Sequence, residues 1–321
     1  MSVVTLTPAG AIDATYRVGT LARGDFMRAS SYERELSGKG VNVSAALARA
    51  GVDTVAVVVL GEDDVAFASG TPLAGMLQVV TVPGATRVNT SIIDAGGATT
   101  KVNAPTPPLP PGIWAHARAA VTAAVSRLDA RWLIVSGSIP VGADLAEVLA
   151  DARRRGVRVA LDTSGPALTA AASAPAGIAL MKPNTHELAE LVRRPLRTVG
   201  EVADAARSLV ERGVETVYTS MGADGVLVVS AVGVVHAHAV ATAVVNTAGA
   251  GDASLAGLVA GLGDDDPRSP DALARAAATA AAWGAHAVSQ ATTLLPGVDG
   301  LPVARVTRDP DPSTQLTEPA G

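Results

Sequence analysis

Trp132-Leu-Ile-Val-Ser136, then a helical pattern over Asp144–Arg155, then Val157-Arg-Val-Ala-Leu161, is the stretch that decides the fold class. Trp132–Ser136 is apolar almost throughout rather than alternating, as expected of a strand covered on both faces. A strand, a helix and a second strand in that order read as one unit of a parallel sheet. Working outward, the alternation continues. Further strand runs are Val3–Thr7, Thr54–Leu60, Ile178–Met181, Val214–Thr219 and Val226–Val229, and helical patterns cover Val41–Ala50, Ile113–Leu128, His186–Val192, Val199–Arg212, Asp252–Leu262 and Asp271–Ser289. The expectation is an α/β fold: a doubly wound, mostly parallel sheet with helices on both faces.

Two stretches, about 11–36 and 87–103, break the rhythm with alternating, half-polar strand patterns and no helix between. The second reads as a β-hairpin turning at Gly96-Gly97. Together they suit a small separate β-sheet, for which a lid is the natural use. Pro105–Pro111, with five prolines, reads as a stiff exit linker. The folded body is placed at 1–306, and the polar, Pro-containing tail 307–321 is expected to be disordered.

The chain has 321 residues, 48% hydrophobic and 2% aromatic, with no cysteine and a formal net charge of −5. Without cysteine there is no disulfide scaffold, zinc-thiolate site, iron–sulfur cluster or cysteine nucleophile. The acidic balance and scarce aromatics argue against nucleic acid and an anionic membrane as partners. The first residues lack a signal-peptide pattern and no apolar stretch is long enough to span a bilayer, so a cytoplasmic location is expected.

Asn246-Thr-Ala-Gly-Ala-Gly-Asp252 leads into a helix that is apolar nearly all round. Its start would present the amides of Gly249, Ala250 and Gly251 to an anion, with the Asp252 carboxylate beside them. An anion hole next to a base is what moving a phosphoryl group onto a hydroxyl requires. The bland alternative is a helix start whose Asp complements the dipole. A dinucleotide fingerprint fails because Ser254 occupies the third glycine position.

Gly38-Lys39-Gly40-Val-Asn42 opens a helix and lets backbone approach a ligand, though a surface helix start reads as well. In Lys182-Pro183-Asn184-Thr-His-Glu187, Asn184 and Glu187 form a capping box or, at the carboxyl edge of the sheet, hold water around Mg²⁺. Ser220-Met-Gly222-Ala-Asp-Gly225 cradles a nucleotide or is a plain turn. Asp13 could accept from sugar hydroxyls, and Arg87 has the fork for a phosphate monoester. His236 and His238 share ligand-like spacing but lack a third ligand.

In order, SGKGVN, TRVN, SGSIP, KPNTHEL, TSMGADG and NTAGAGD resemble the PfkB (ribokinase-like) family of sugar kinases over residues 3–296. Within it, TLTPA, TRVN, SGSIP, TKVNAP and AVSQ resemble the branch of 1-phosphofructokinases and tagatose-6-phosphate kinases. The resemblance implies a phosphotransferase that uses ATP and Mg²⁺ on a sugar phosphate, most simply D-fructose 1-phosphate, and a homodimer formed through the β lid. It assigns Asp252 as catalytic base with Gly249, Ala250 and Gly251 as its anion hole. The sugar side takes Asp13, Gly38, Lys39, Asn42 and Ser138, with Arg87 and Asn89 at the sugar phosphate. Lys182, Asn184, Glu187, Ser220, Gly222, Gly225 and Ser289 fall on the nucleotide side, Asn184 and Glu187 also serving the metal, through water. Departures at Thr7, Gly10-Ala11, Ser37 and Thr106-Pro107 cluster on the sugar side. Rival readings are a catalytically silent sugar-phosphate or nucleotide sensor and a nicotinamide-dependent dehydrogenase. The dehydrogenase lacks GxGxxG after the first strand.

Overall fold

Strands built from Val, Ile, Leu and Ala must hide both faces, and a helix layer on each side is the simplest way to do so. A computed structural model of the chain describes residues 1–267 and 269–320. The chain begins β1 (Ser2–Thr7), β2 (Ala11–Arg17), β3 (Ser31–Ser37), α1 (Lys39–Arg49), β4 (Asp53–Gly61), α2 (Val65–Ser69), β5 (Leu77–Val82), β6 (Val88–Ile93) and β7 (Thr99–Asn103). It continues α3 (Ile113–Leu128), β8 (Trp132–Ser136), α4 (Leu145–Arg154), β9 (Arg158–Asp162), α5 (Gly165–Ser173), β10 (Leu180–Met181), α6 (Thr185–Val192), β11 (Leu196–Thr198) and α7 (Val199–Glu211). It ends β12 (Thr216–Ser220), β13 (Val226–Ser230), β14 (Gly233–His238), α8 (Ala250–Leu262), α9 (Pro270–Val288), β15 (Arg305–Arg308) and β16 (Gln315–Ala320).

The main sheet has the order β15-β14-β13-β12-β10-β9-β8-β1-β4-β5, parallel from β12 to β5 and antiparallel from β12 to β15. Strand alternation divides its side chains between two cores. Val4 and Leu6 of β1 pack in one with Trp114, Val121, Leu149 and Val202 from the helices on that side. Val3 packs in the other with Val43, Leu47, Leu255 and Trp283. The doubly wound expectation matches this architecture. Missing from the sequence-based strand list were β5, a half-buried edge strand, β11 and β14, and from the helix list α2 and α5. No described helix is long and apolar enough to cross a membrane.

The two irregular stretches form a separate sheet of order β3-β2-β6-β7. Its β2 and β6 run parallel, and β2–β3 and β6–β7 are antiparallel. Ile12, with Leu36, turns inward against Val58 and Leu60 of β4, which anchors this small sheet to the body.

One expectation is corrected. The tail expected to be disordered is largely ordered: β15, which starts at Arg305 and runs into it, extends the main sheet beyond β14, and β16 within it pairs with β11. Its composition is polar, but Leu316 and Ala320 are buried and hold it down. Gly321, the last residue of that tail, lies outside the described residues.

Candidate active site

Parallel strands place their carboxyl ends along one edge, and ligands of open α/β sheets bind there. Here β1 ends at Thr7, β8 at Ser136, β9 at Asp162, and β10 hands on to Lys182. Asp162 is fully buried, and Ser136 Oγ donates to its Oδ2 at 3.2 Å. Lys39 Nζ and Lys182 Nζ both reach its Oδ1, at 3.1 and 3.3 Å. Burial alone would push the Asp162 carboxyl up, but the two ammonium groups and their hydrogen bonds outweigh it and hold its pKa below the usual value. Lys39 is correspondingly raised, first by Asp162, against burial, with Asp252 and Glu187 adding to it.

Helix α8 begins directly opposite these groups in charge logic: a buried carboxylate at a helix N-terminus. Gly249 is its N-cap at φ +76°, and a Cβ there would sit 2.2 Å from the Thr293 carbonyl oxygen, so only glycine fits. Among the described residues no protein acceptor pairs with the amides of Gly249, Ala250 or Gly251. A Cβ on Gly251 would lie 3.5 Å from Lys182 Nζ, which sets an ammonium beside those free donors. The combination is chemically suited to an anion.

Asp252, in the first turn of α8, is 6% exposed and accepts from Asn42 Nδ2 of α1 at 2.9 Å. Burial raises its pKa most, Asp162 repels a second charge, and Lys39, the Asn42 hydrogen bond and Lys182 pull the other way. The net result is a carboxyl pushed up to about 6. Such a group is ionised at neutral pH yet basic enough to take a hydroxyl proton. Asn42 reaches it because α1 lies close on β1: a Cβ on Gly40 would come within 2.5 Å of Thr7 Oγ1.

Above this edge, Asn89 Nδ2 of β6 donates to Asp13 Oδ1 of β2 at 3.1 Å. The buried oxygens Thr7 Oγ1, Asn42 Oδ1 and Asn89 Oδ1 have no protein partner. Buried acceptors without donors are costly, and a polyhydroxylated ligand supplies donors. Half-buried Arg87 donates to Gly10 O (3.2 Å), Ala9 O (3.3 Å), Thr106 Oγ1 (3.4 Å) and Ala104 O (3.5 Å). These bonds are long, and among the described residues no carboxylate forms a salt bridge with it. Burial lowers its pKa, opposed by Asp13.

On the other side of α8 a cavity of about 660 Å³ is lined by Asn184, Ser220, Gly222, Gly225, Ala250 and Gly251 among others. Its remaining wall is largely apolar, with Val240, Val244, Ala285 and Val288. Asn184 and Glu187 form the capping box: Glu187 N–H donates to Asn184 Oδ1 and Asn184 N–H to Glu187 Oε2, each at 2.8 Å. Ser289 is not in the cavity wall. Its hydroxyl donates to Ala243 O and Ala285 O, bracing the loop after β14 against α9. Ser138 is half-buried in the loop after β8. His236 meets the Asp224 carbonyl, and the described residues hold no cluster of three His, Cys, Asp or Glu able to bind a metal.

Sequence reasoning missed Asp162, whose signal was only its place at the end of a buried parallel strand. It also missed Glu35, which faces Asp13 across β2–β3 and is raised by burial, then by Asp13 and Glu33.

The family model described as pfkB family carbohydrate kinase matches residues 7–294. The chain belongs to that family. This pfkB kinase is 36% identical over 266 residues to "1-phosphofructokinase" of Rhodobacter capsulatus, covering 81% of this chain and 83% of that protein. It is 36% identical over 283 residues to "1-phosphofructokinase" of Xanthomonas campestris pv. campestris, with 83% and 85% covered. The crystal structure of phosphofructokinase-2 from Escherichia coli in complex with potassium aligns with a TM-score of 0.81 at 26% identity, over 93% of this chain and 96% of that one. As a pfkB kinase the chain is a phosphotransferase with an alcohol acceptor and ATP as donor, which sets the dehydrogenase reading aside.

Proposed function

We propose that this kinase phosphorylates D-fructose 1-phosphate to fructose 1,6-bisphosphate, with tagatose 6-phosphate or fructose 6-phosphate as the alternative acceptors. The observation that carries the chemistry is buried Asp252, oriented by Asn42 beside the unpartnered amides of α8. Asp252 takes the proton as the sugar hydroxyl oxygen bonds to the γ-phosphorus and the bond from phosphorus to the ADP oxygen breaks. The amides of Gly249, Ala250 and Gly251 and the Lys182 ammonium face the charge that gathers on the transferred group. Positioning supplies most of the acceleration.

Two features favour a phosphorylated sugar. The orphan acceptors Asn42 Oδ1 and Asn89 Oδ1, with Asp13, suit hydroxyls. Arg87 is a half-buried cation without a neutralising carboxylate, held by long bonds that a phosphate monoester would outcompete. Names carried by the relatives favour the 1-phosphate.

The donor set fits Mg²⁺ only loosely. Asn184 Oδ1 and Glu187 Oε2 are committed to the capping box, leaving Glu187 Oε1 to meet a hydrated ion. These residues suit a cation that arrives on the triphosphate with its waters rather than one caged by protein. When bound, the ion neutralises phosphate charge.

The lid supports a homodimer: Tyr16, Tyr32, Val88 and Val102 are exposed on its strands, and the two tyrosine rings pack 4.7 Å apart. Light scattering on wild type and Val102→Glu tests this, with a monomeric wild type ruling it out.

ADP release measured with fructose 1-phosphate, fructose 6-phosphate, tagatose 6-phosphate and fructose tests the reaction. Fastest turnover per unit concentration is expected with fructose 1-phosphate. No ADP release with any of the four would return the protein to the sensor reading.

A further inference from the structure

Beyond residue 294, where the family match ends, the chain returns to the nucleotide cavity. Strand β16 pairs antiparallel with β11, matching Leu196 to Ala320 and Thr198 to Gln315. The approach is fixed by Val199 N–H on Thr314 O (2.9 Å) and Gly200 N–H on Pro312 O (3.0 Å). Thr317 then donates twice to the Asp224 carboxylate, through its amide at 2.8 Å and its hydroxyl at 2.6 Å. Asp224 belongs to the turn Gly222–Gly225, so the strand is fastened to the loop that lines the cavity.

The next residue is Glu318. Its side chain joins the cavity wall, and a Cβ on Gly222 would lie 3.1 Å from its Oε2. Glu318 is exposed at the rim, and because an ionised carboxylate only accepts hydrogen bonds, a ligand group beside it has to be a donor. The polyphosphate, bound for the α8 amides, has none to give. The wall formed by Val240, Val244, Ala285 and Val288 suits the flat base. Gly222 stands two residues past Ser220, which bridges to Asn184 at the polar start of α6, so Glu318 lies toward the polar part of the cavity. A nucleoside triphosphate offers two adjacent O–H donors between its polar and flat ends, the ribose 2′- and 3′-hydroxyls, and a carboxylate can accept from that pair.

We propose that β16 is part of the nucleotide site and that Glu318 selects ribonucleotides by accepting from the ribose hydroxyl pair. This rests on the ATP-dependent kinase reading. The base's exocyclic amine is the other donor within a nucleotide, but it provides one group where the carboxylate has two oxygens to fill.

The test compares ATP, 2′-deoxy-ATP, 3′-deoxy-ATP and ITP on the full chain and on Glu318→Ala, by kcat/KM and by calorimetric binding without sugar. Wild type is expected to favour ATP over each deoxy analogue by about tenfold or more. Glu318→Ala should lose that preference through weaker ATP binding alone, with deoxy-ATP binding, the ATP-to-ITP ratio and the melting temperature unchanged. A preference that survives in Glu318→Ala overturns the assignment, as does a change in the ATP-to-ITP ratio instead. Failure of the kinase reading looks different: no sugar phosphate turns over, while the binding ratios still report on Glu318.

Discussion

Asn42 donates its side-chain N–H to Asp252 across 2.9 Å, joining α1 to the first turn of α8 over 210 positions of chain. The bond stabilises the ionised carboxylate and so works against the burial that raises it. The acid limb of kcat/KM against pH is expected near 6, with activity lost as pH falls through that value because the base becomes protonated. Asn42→Ala should move the limb upward by removing a donor to the charged form. A limb that stays in place in that variant would show that Asn42 does not tune the base.

Asp252→Asn should lower turnover by about 10²–10⁴-fold, the usual contribution of a positioned base, and leave ATP binding nearly intact. It should also stabilise the fold at pH 8. The folded pKa is above the unfolded value of 3.8, so protonation favours the native state. That stabilisation is complete below 3.8 and gone once pH rises through about 6. An amide mimics the protonated form at every pH, and the gain at pH 8 is on the order of 3 kcal/mol. Thermal melts at pH 8 and pH 4.5 check this: the advantage over wild type should shrink at the lower pH.

Asp162→Asn removes the shared partner of Lys39 and Lys182. Stability should drop by roughly 3–5 kcal/mol, because Lys182 is left as a buried charge without its acid. The same change takes away a repulsion felt by Asp252, so the acid limb should shift below its wild-type position. Denaturant titration and a pH profile below the melting range read the two effects separately. A limb that moves upward would contradict the electrostatic account.

Arg87→Ala should raise KM for fructose 1-phosphate by about tenfold or more and leave KM for ATP near wild type. Loss of its bonds to the loop after β1 could by itself loosen the lid, so unphosphorylated fructose serves as the control. A purely structural role would weaken both sugars alike, whereas a phosphate contact weakens only the phosphorylated one.

The fold was legible because its signals are local. Unbroken apolar runs such as Trp132–Ser136 announce strands covered on both faces, and Gly96-Gly97 announces the hairpin of β6 and β7. The buried Asp252 carboxylate and its helix start were legible too, since glycine before a buried helix is a local pattern. Asp162 was not: it matters through Lys39, 123 positions away, and such pairing is invisible to spacing. Asn184 and Glu187 show the converse. Their signature was clear, but it fits a helix cap as well as a ligand site, and the cap occupies Asn184 Oδ1 and Glu187 Oε2 as acceptors. The tail misled because composition reported its polarity, while two apolar anchors, Leu316 and Ala320, decided its structure.

Lys39 and Lys182 at the inner wall stand against Asp162 and ionised Asp252, so these four side chains sum to zero. A triphosphate coming in therefore meets oriented dipoles but no surplus of cationic side chains from that quartet. Its counter-ions have to accompany it, which makes the ionic make-up of the medium a direct handle on occupancy.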